Sequence, residues 1–546
     1  MTAHIFPHFI KRHIAILIFI ACYLVVVRLT YQDFGLTWDE PVNYTMGVAS
    51  YEHVFNKKVA DRTALNKTNG WLDIQDAESF PHLDRFTDIS AETLYYYLHY
   101  SAFYPMVLFI LNKDKSVERY HLLNMVFALA VFLAVYLLLY RQYSDQKLAI
   151  LGPLLLFLTP RFTGDIPANP KDVPFAVMYF ISCAALYFSA SSKKVLTRIL
   201  CLGIFFGITQ NIRSAGVTLY GILLLYDVYA YYRDRQTTAR SDDTWLQFLI
   251  RESQTITLVG MVALLFSLLT WPYLAMNLIS NLQEIFAMQR YYTWNETVLY
   301  NGSYVEGTKL PSTYFTTWFA ITTPLMLLAP ALLSPLLIRK RFQHRLFVLC
   351  CITILLNTIA YLIVRPVAYD GVRLFLFLVP PLATLAALAL IEYFRTAGKR
   401  LIKALVGVLI CTNAAAVSRE MIVLHPYQYI YFNSLVGGLK GAYTKYDTDY
   451  WGASYNEAIN WFKQNIATDK NKYYPIHIFG IKRYKIYQAA NILNVPPQHA
   501  EYMFRFTRRL EEEPKQEDIV HVVKRHDVPL VYILKNTAAN RPAATH

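Results

Sequence analysis

Apolar stretches broken by short polar ones run from the first residues to about position 420. The stretch 13–29 has no charge before Arg28, and 255–276 and 374–391 have none at all. A helix rises 1.5 Å per residue, so roughly 18 or more apolar residues cross the ~30 Å hydrocarbon core of a bilayer. One such stretch could be a signal peptide, but a whole series cannot. The pattern predicts about eleven spanning segments, near 13–29, 119–140, 147–160, 173–190, 195–211, 213–231, 254–275, 315–338, 345–364, 372–394 and 401–417. Two polar regions interrupt or follow them, a first loop of about 31–92 and a tail beyond 418. In the tail, Ile459, Trp461, Phe462 and Ile466 have helical spacing, and 476–479, 519–523 and 530–534 are short β-rich runs. The expected architecture is an α-helical polytopic membrane domain over 1–418 followed by a small α/β domain over 419–546.

Charge orients this arrangement. With the N-terminus in the cytoplasm, the inner loops collect Lys11, Arg12, Arg141, Lys147, Lys193, Lys194, Arg233, Arg235, Arg339, Lys340, Arg341, Lys399 and Arg400 among others. The opposite short loops hold far fewer, Arg161, Lys171, Arg213, Arg290, Lys309, Arg365 and Arg373. The positive-inside rule therefore favours an inner N-terminus, and an odd number of spans puts the first loop and the tail outside. The residues are 55% hydrophobic and 16% charged, against about 25% charged in soluble proteins. The net charge of +14 would suggest nucleic acid in a soluble chain; here cytoplasmic loops facing anionic headgroups account for it, and no nucleic-acid partner is expected. All six cysteines lie in apolar runs, so no disulfide framework or Cys-based zinc site is expected in the loops or tail. No Walker loop or GxGxxG after a strand is present. Neither metal nor cofactor is predicted.

Candidate chemistry gathers on the expected outer side. Thr37-Trp38-Asp39-Glu40-Pro41 follows the first span. Pro41 suits a helix's first turn, and 42–55 is amphipathic enough to lie on the membrane. An acid beside an apolar surface can serve as a general base; the plainer alternative is that Asp39 caps the helix and Glu40 favours its dipole. A second loop, 160–174, contains Arg161, Asp165, Lys171 and Asp172 among several prolines. Asp172 opens the next span, where it could cap the helix or help hold an acceptor. Arg161 and Lys171 are placed to meet an anion at headgroup depth. Arg213 lies in a tight turn, and Arg365 and Arg373 flank Pro366-Val367-Ala368-Tyr369-Asp370-Gly371-Val372. Arginine binds phosphate in a forked geometry that lysine lacks.

The ordered set of motifs resembles the C-type (GT-C) multi-spanning glycosyltransferases that use polyprenyl- or dolichyl-phosphate sugars, such as protein O-mannosyltransferases and lipid A aminoarabinose transferases. The resemblance covers nearly the whole chain. It runs from Trp38-Asp39-Glu40 through Asn169-Pro170-Lys171-Asp172-Val173-Pro174-Phe175, Leu310-Pro311-Ser312-Thr313-Tyr314 with Thr323-Pro324, and Tyr369-Asp370-Gly371-Val372-Arg373. It ends in His425-Pro426-Tyr427-Gln428-Tyr429, Tyr431-Phe432-Asn433, Gly437-Gly438 and Asp449-Tyr450-Trp451-Gly452. It implies an inverting transfer from a polyprenyl-phosphate sugar to a glycan, lipid or protein acceptor at the outer face of a membrane, with a bacterial inner membrane as the expected location. Asp39 would be the base, Glu40 its neighbour and Asp172 a second acid; Arg161, Lys171, Arg213 and Arg373 would hold the donor phosphate. The tail differs in character from those of the best-known members, so the acceptor does not carry over. The competing reading from another class is a transporter or flippase of an anionic or lipid-linked substrate. Neither matching halves nor mid-membrane charges point that way.

Overall fold

A computed structural model of the protein describes residues 5–56, 102–112, 116–190, 192, 194–237, 244–291, 296–338, 343–396, 398–479, 489, 491–510 and 512–537. The greater part of the expected first loop, 57–92, therefore lies outside the described residues. Each of the eleven predicted segments coincides with helix. Seven helices among the described residues are long and apolar enough to cross a membrane: Lys11–Thr30, Val117–Tyr143, Asp172–Ser189, Trp245–Thr270, Arg345–Val364, Arg373–Thr396 and Arg400–Leu424. Gln146–Phe157, Val195–Gln210 and Leu325–Leu337 are shorter apolar helices.

Proline sets several of the boundaries. A residue before proline is pushed out of the helical region towards extended backbone. Trp271, before Pro272, has φ −117° and ψ 94°, so the predicted segment 254–275 ends as a continuous helix at Thr270. The predicted segment 315–338 breaks in the same way at Thr323-Pro324, between Tyr314–Thr322 and Leu325–Leu337. Burial separates centre from rim. The apolar window of Arg373–Thr396 is 89% buried and that of Arg400–Leu424 is 6% buried, so the first is the central helix and the second is left for lipid. Arg400–Leu424 also runs past the predicted domain boundary at 418.

The helix Glu40–Phe55 departs from its expected place on the membrane surface. Tyr44, Met46, Val48 and Ser50 are buried, and a Cβ on Gly47 would stand 2.5 Å from the Pro105 carbonyl oxygen. The helix is packed inside the protein against Phe103–Leu111 because this glycine lets the two backbones touch.

Among the described residues, seven strands follow in chain order. β1 (Thr297–Tyr300) and β2 (Ser303–Glu306) form a hairpin whose turn residues Asn301 and Gly302 have positive φ, as a two-residue hairpin turn demands. The tail holds β3 (Tyr474–Ile478), β4 (Ile492–Asn494), β5 (Tyr502–Phe506), β6 (Ile519–Arg525) and β7 (Val528–Lys535) in the order β4-β3-β5-β7-β6. β3 pairs in parallel with β4 and β5, whereas β7 pairs antiparallel with β5 and β6. The helix Tyr455–Asn465 covers this sheet, burying Tyr455, Ala458, Ile459 and Phe462, one face at helical spacing. The predicted helix and the three predicted strands are all present; β4 and β5 are additional.

Candidate active site around Arg373

Asp39 and Glu40 are adjacent in sequence but have separate environments. Glu40 begins its helix and is fully buried. Its Oε2 accepts from the Thr37 amide at 2.7 Å and the Thr37 hydroxyl at 3.0 Å, and its Oε1 lies 2.8 Å from His121 Nε2. A carboxylate held by three partners and closed from solvent is placed to fasten the turn. Asp39 makes no capping hydrogen bond, which disposes of the plain capping alternative. Its side chain is 33% exposed and its Oδ2 lies 2.6 Å from Arg373 Nη2. The backbone just before Asp39 is pinned, since the Trp38 amide donates to the Trp451 carbonyl at 3.1 Å.

Asp172 is also not a cap. Asn169 does that work: its Oδ1 accepts from the amides of Asp172 at 2.7 Å and Lys171 at 3.2 Å. Asp172 occupies the first position of Asp172–Ser189 and is buried. Its Oδ2 lies 2.8 Å from Arg373 Nε and accepts from Asn169 Nδ2 at 3.3 Å, while its Oδ1 pairs with Arg213. Asp370 and Gly371 both have positive φ. The Gly371 amide donates to the Tyr314 hydroxyl at 3.0 Å, and a Cβ there would come within 3.1 Å of Trp318, so glycine is required for turn and contact alike. The turn aims Asp370 Oδ2 at Arg373 Nη1, 2.8 Å away.

Arg373 thus addresses three carboxylates with three nitrogens: Nε to Asp172, Nη1 to Asp370 and Nη2 to Asp39. The planar fork suits such a junction. Trp451 lies on the Arg373 guanidinium, 5.2 Å from ring centre to Cζ. The cluster continues into the tail, where Arg508 Nη2 is 2.6 Å from Asp370 Oδ1 and Arg508 Nη1 donates to the Tyr450 carbonyl at 2.8 Å. Burial pushes the Asp370 carboxyl above its ordinary range, and Arg508 and then Arg373 pull against that rise. Lys171 is half-buried; burial and the neighbouring Arg213 push its ammonium down to about 8, against the pull of Asp172 and Asp39.

Of the predicted donor-binding cations, Arg213, Arg373 and Lys171 belong to this neighbourhood. Arg365 is exposed at the end of Arg345–Val364. Arg161 differs from expectation. It is 2% exposed, donates from Nε to the Tyr431 carbonyl at 2.9 Å and lies between the rings of Trp318 and Phe432, at 5.0 and 4.6 Å. Its place is behind the cluster, not at an open surface, because the short helix Pro160–Asp165 turns it inward. Gly164 makes room for this, since a Cβ there would stand 2.5 Å from the Tyr429 amide. Asp165 is buried with it and accepts from the Tyr450 hydroxyl at 3.4 Å. Burial raises its carboxyl well above the ordinary range, against the pull of Arg161 and Arg373.

Asp370, Arg508 and Trp451 were not singled out as site residues from sequence. Asp370 and Trp451 stood in visible motifs; Arg508 had no local signal.

No protein-family profile and no curated protein matches the sequence. Among solved structures, one similar chain is the oligosaccharyltransferase of Archaeoglobus fulgidus, crystallised with zinc and sulfate. It shares 12% identity at a TM-score of 0.33, over 84% of this chain and 59% of that one. This chain thus spans less than two thirds of that protein's length, and at that level of superposition nothing about residues or chemistry is carried across.

Proposed function

We propose that the protein is an inverting glycosyltransferase that takes a sugar from a polyprenyl-phosphate carrier at the outer face of a membrane and passes it to a glycan, lipid or protein acceptor. Asp39 is the base. The carrying observation is its setting: a carboxylate on a pinned backbone, with one oxygen held by Arg373 and the side chain one-third exposed. The acceptor's hydroxyl or amine attacks the anomeric carbon from the face opposite the carrier. Its proton passes to Asp39, the bond between the anomeric carbon and the phosphate oxygen breaks, and the phosphate leaves with the electron pair. Phosphate is a good leaving group, so orientation and charge stabilisation carry most of the catalysis.

This reading also divides the cations by role. Arg373 is committed to three acids, so it orients Asp39 instead of gripping substrate. Arg213, whose side chain is 22% exposed, and the half-buried Lys171 are the better placed to meet the carrier phosphate. Asp172 fixes Arg213 and Arg373 relative to each other. Glu40, enclosed by Thr37 and His121, holds the turn that presents Asp39.

The test is transfer by purified full-length protein in liposomes, using a panel of short-chain polyprenyl-phosphate sugars. Asp39→Asn keeps the size of the side chain but cannot accept the proton, and turnover should fall about 10²–10⁴-fold with folding intact. Near-normal turnover per folded molecule would end the assignment.

A further inference from the structure

Four charged residues form a line of alternating sign from the tail to Asp39. Arg508 Nη2 is 2.6 Å from Asp370 Oδ1; Asp370 Oδ2 is 2.8 Å from Arg373 Nη1; Arg373 Nη2 is 2.6 Å from Asp39 Oδ2. Asp370 is 3% and Arg373 6% exposed, and water does not screen such contacts as it does at a surface. Arg508 lies just beyond β5, 138 residues from its carboxylate partner in sequence. Its other nitrogen, Nη1, is anchored on the carbonyl of Tyr450, next to the Trp451 ring that covers Arg373. The tail therefore reaches the junction twice, through a guanidinium and through an indole.

We propose that Arg508 is a positioning residue of the C-terminal domain: by holding Asp370 it sets how Arg373 divides its fork among three acids, and so fixes the orientation of Asp39. The proposal rests on the reading of Asp39 as the base. With Arg508 present, Asp370 has a cation on each oxygen and Arg373 can reach Asp39. Without it, Asp370 has Arg373 as its remaining ion partner, draws the fork towards itself and loosens the Nη2–Asp39 contact. The active site is then completed by two parts of the chain.

Two double-mutant cycles test this on full-length protein in liposomes, each with wild type, Arg508→Gln, Asp370→Asn and the double variant. The first needs no substrate. Carbodiimide coupling to a small amine is followed at the Asp39-containing peptide by mass spectrometry, with Asp39→Asn marking the background. Arg508→Gln should raise labelling of Asp39 several-fold, and the same change in the Asp370→Asn background should add nothing. The second follows transfer from whichever polyprenyl-phosphate sugar the wild type consumes. Misplacing a reacting group by ~1 Å can cost about 10²-fold, so Arg508→Gln should lower kcat about 10- to 100-fold with little change in KM. In the Asp370→Asn background its effect should disappear.

Arg508→Lys keeps the charge but loses the two-pronged contact, and should recover part of kcat. It also carries both cycles if the Gln variant does not yield folded protein. Equal Asp39 labelling in all four proteins, or an Arg508 effect of the same size with and without Asp370, would overturn the positioning role. That result leaves the assignment of Asp39 standing if Asp39→Asn is inactive, so the two failures can be told apart.

Discussion

Two buried ion clusters among the described residues differ in how they are built. The one around Arg373 draws on residues from Asp39 to Arg508. The other joins neighbouring helices: Arg198 Nη2 contacts both oxygens of Asp227, at 2.8 and 2.5 Å, and Glu252 is hydrogen-bonded with Asp227. Arg198 stands in the first turn of Val195–Gln210, whereas Arg213 lies past its end, so the clusters are separated along the helices by roughly 20 Å. Asp227 and Glu252 are both closed from solvent, whereas Asp39 is one-third exposed. A local, sealed cluster fastens helices together. A long-range cluster that leaves one carboxylate open is what the proposed base requires.

Arg373→Gln tests that contrast most severely. It leaves Asp39, Asp172 and Asp370 without their common partner, and removing one partner of a buried pair costs about 3–5 kcal/mol. Both thermal stability and turnover per folded molecule should collapse. Intact turnover would show that the junction is not part of the chemistry. Arg198→Leu should cost a comparable 3–5 kcal/mol at the other cluster, read as a lower melting temperature in detergent, while turnover per folded molecule stays normal. If turnover fell as well, the two clusters would be coupled and the contrast would fail.

Lys171 supplies a pH dependence. Its ammonium, ordinarily protonated to pH 10.5, is pushed down to about 8. The cation is present below that value and lost as pH rises through it. Affinity for undecaprenyl phosphate should therefore weaken above pH 8 in the wild type, whereas Lys171→Arg should bind without that limb. An unchanged limb in Lys171→Arg would move the titration to another group. The smallest effect is expected from Glu40→Gln. It retains one acceptor for the Thr37 contacts and should lose about 1–3 kcal/mol of stability with turnover within about tenfold of wild type, a smaller loss than for a general base. A loss as deep as that of Asp39→Asn would make Glu40 a reacting group.

The helices were legible because hydropathy is a local property: a run of apolar residues reports its own fate. Their breaks at Pro272 and Pro324 were missed, although proline acts on the residue before it. β3, β6 and β7 announced themselves by β-rich runs, whereas β4, with Ile492–Asn494 alone, is too short for alternation to show. Asp39, Lys171, Asp172, Arg213 and Arg373 could be picked out as charges at the ends of apolar segments. What each one touches could not. Nothing near Arg161 distinguishes a cation at a headgroup from one buried under Trp318 and Phe432. Nothing near Arg508 names Asp370, because the pairing is decided by how the sheet docks.

The span of that pairing has a consequence for how the protein is made. Asp370 leaves the ribosome long before Arg508, so through the synthesis of more than a hundred residues it waits without one of its two cations. A chain stalled in that interval carries Asp39, the Arg373 junction and the central helix, yet the junction is still open. Such a chain should be cut by protease near Asp370, and protection should come only as the strand leading to Arg508 arrives.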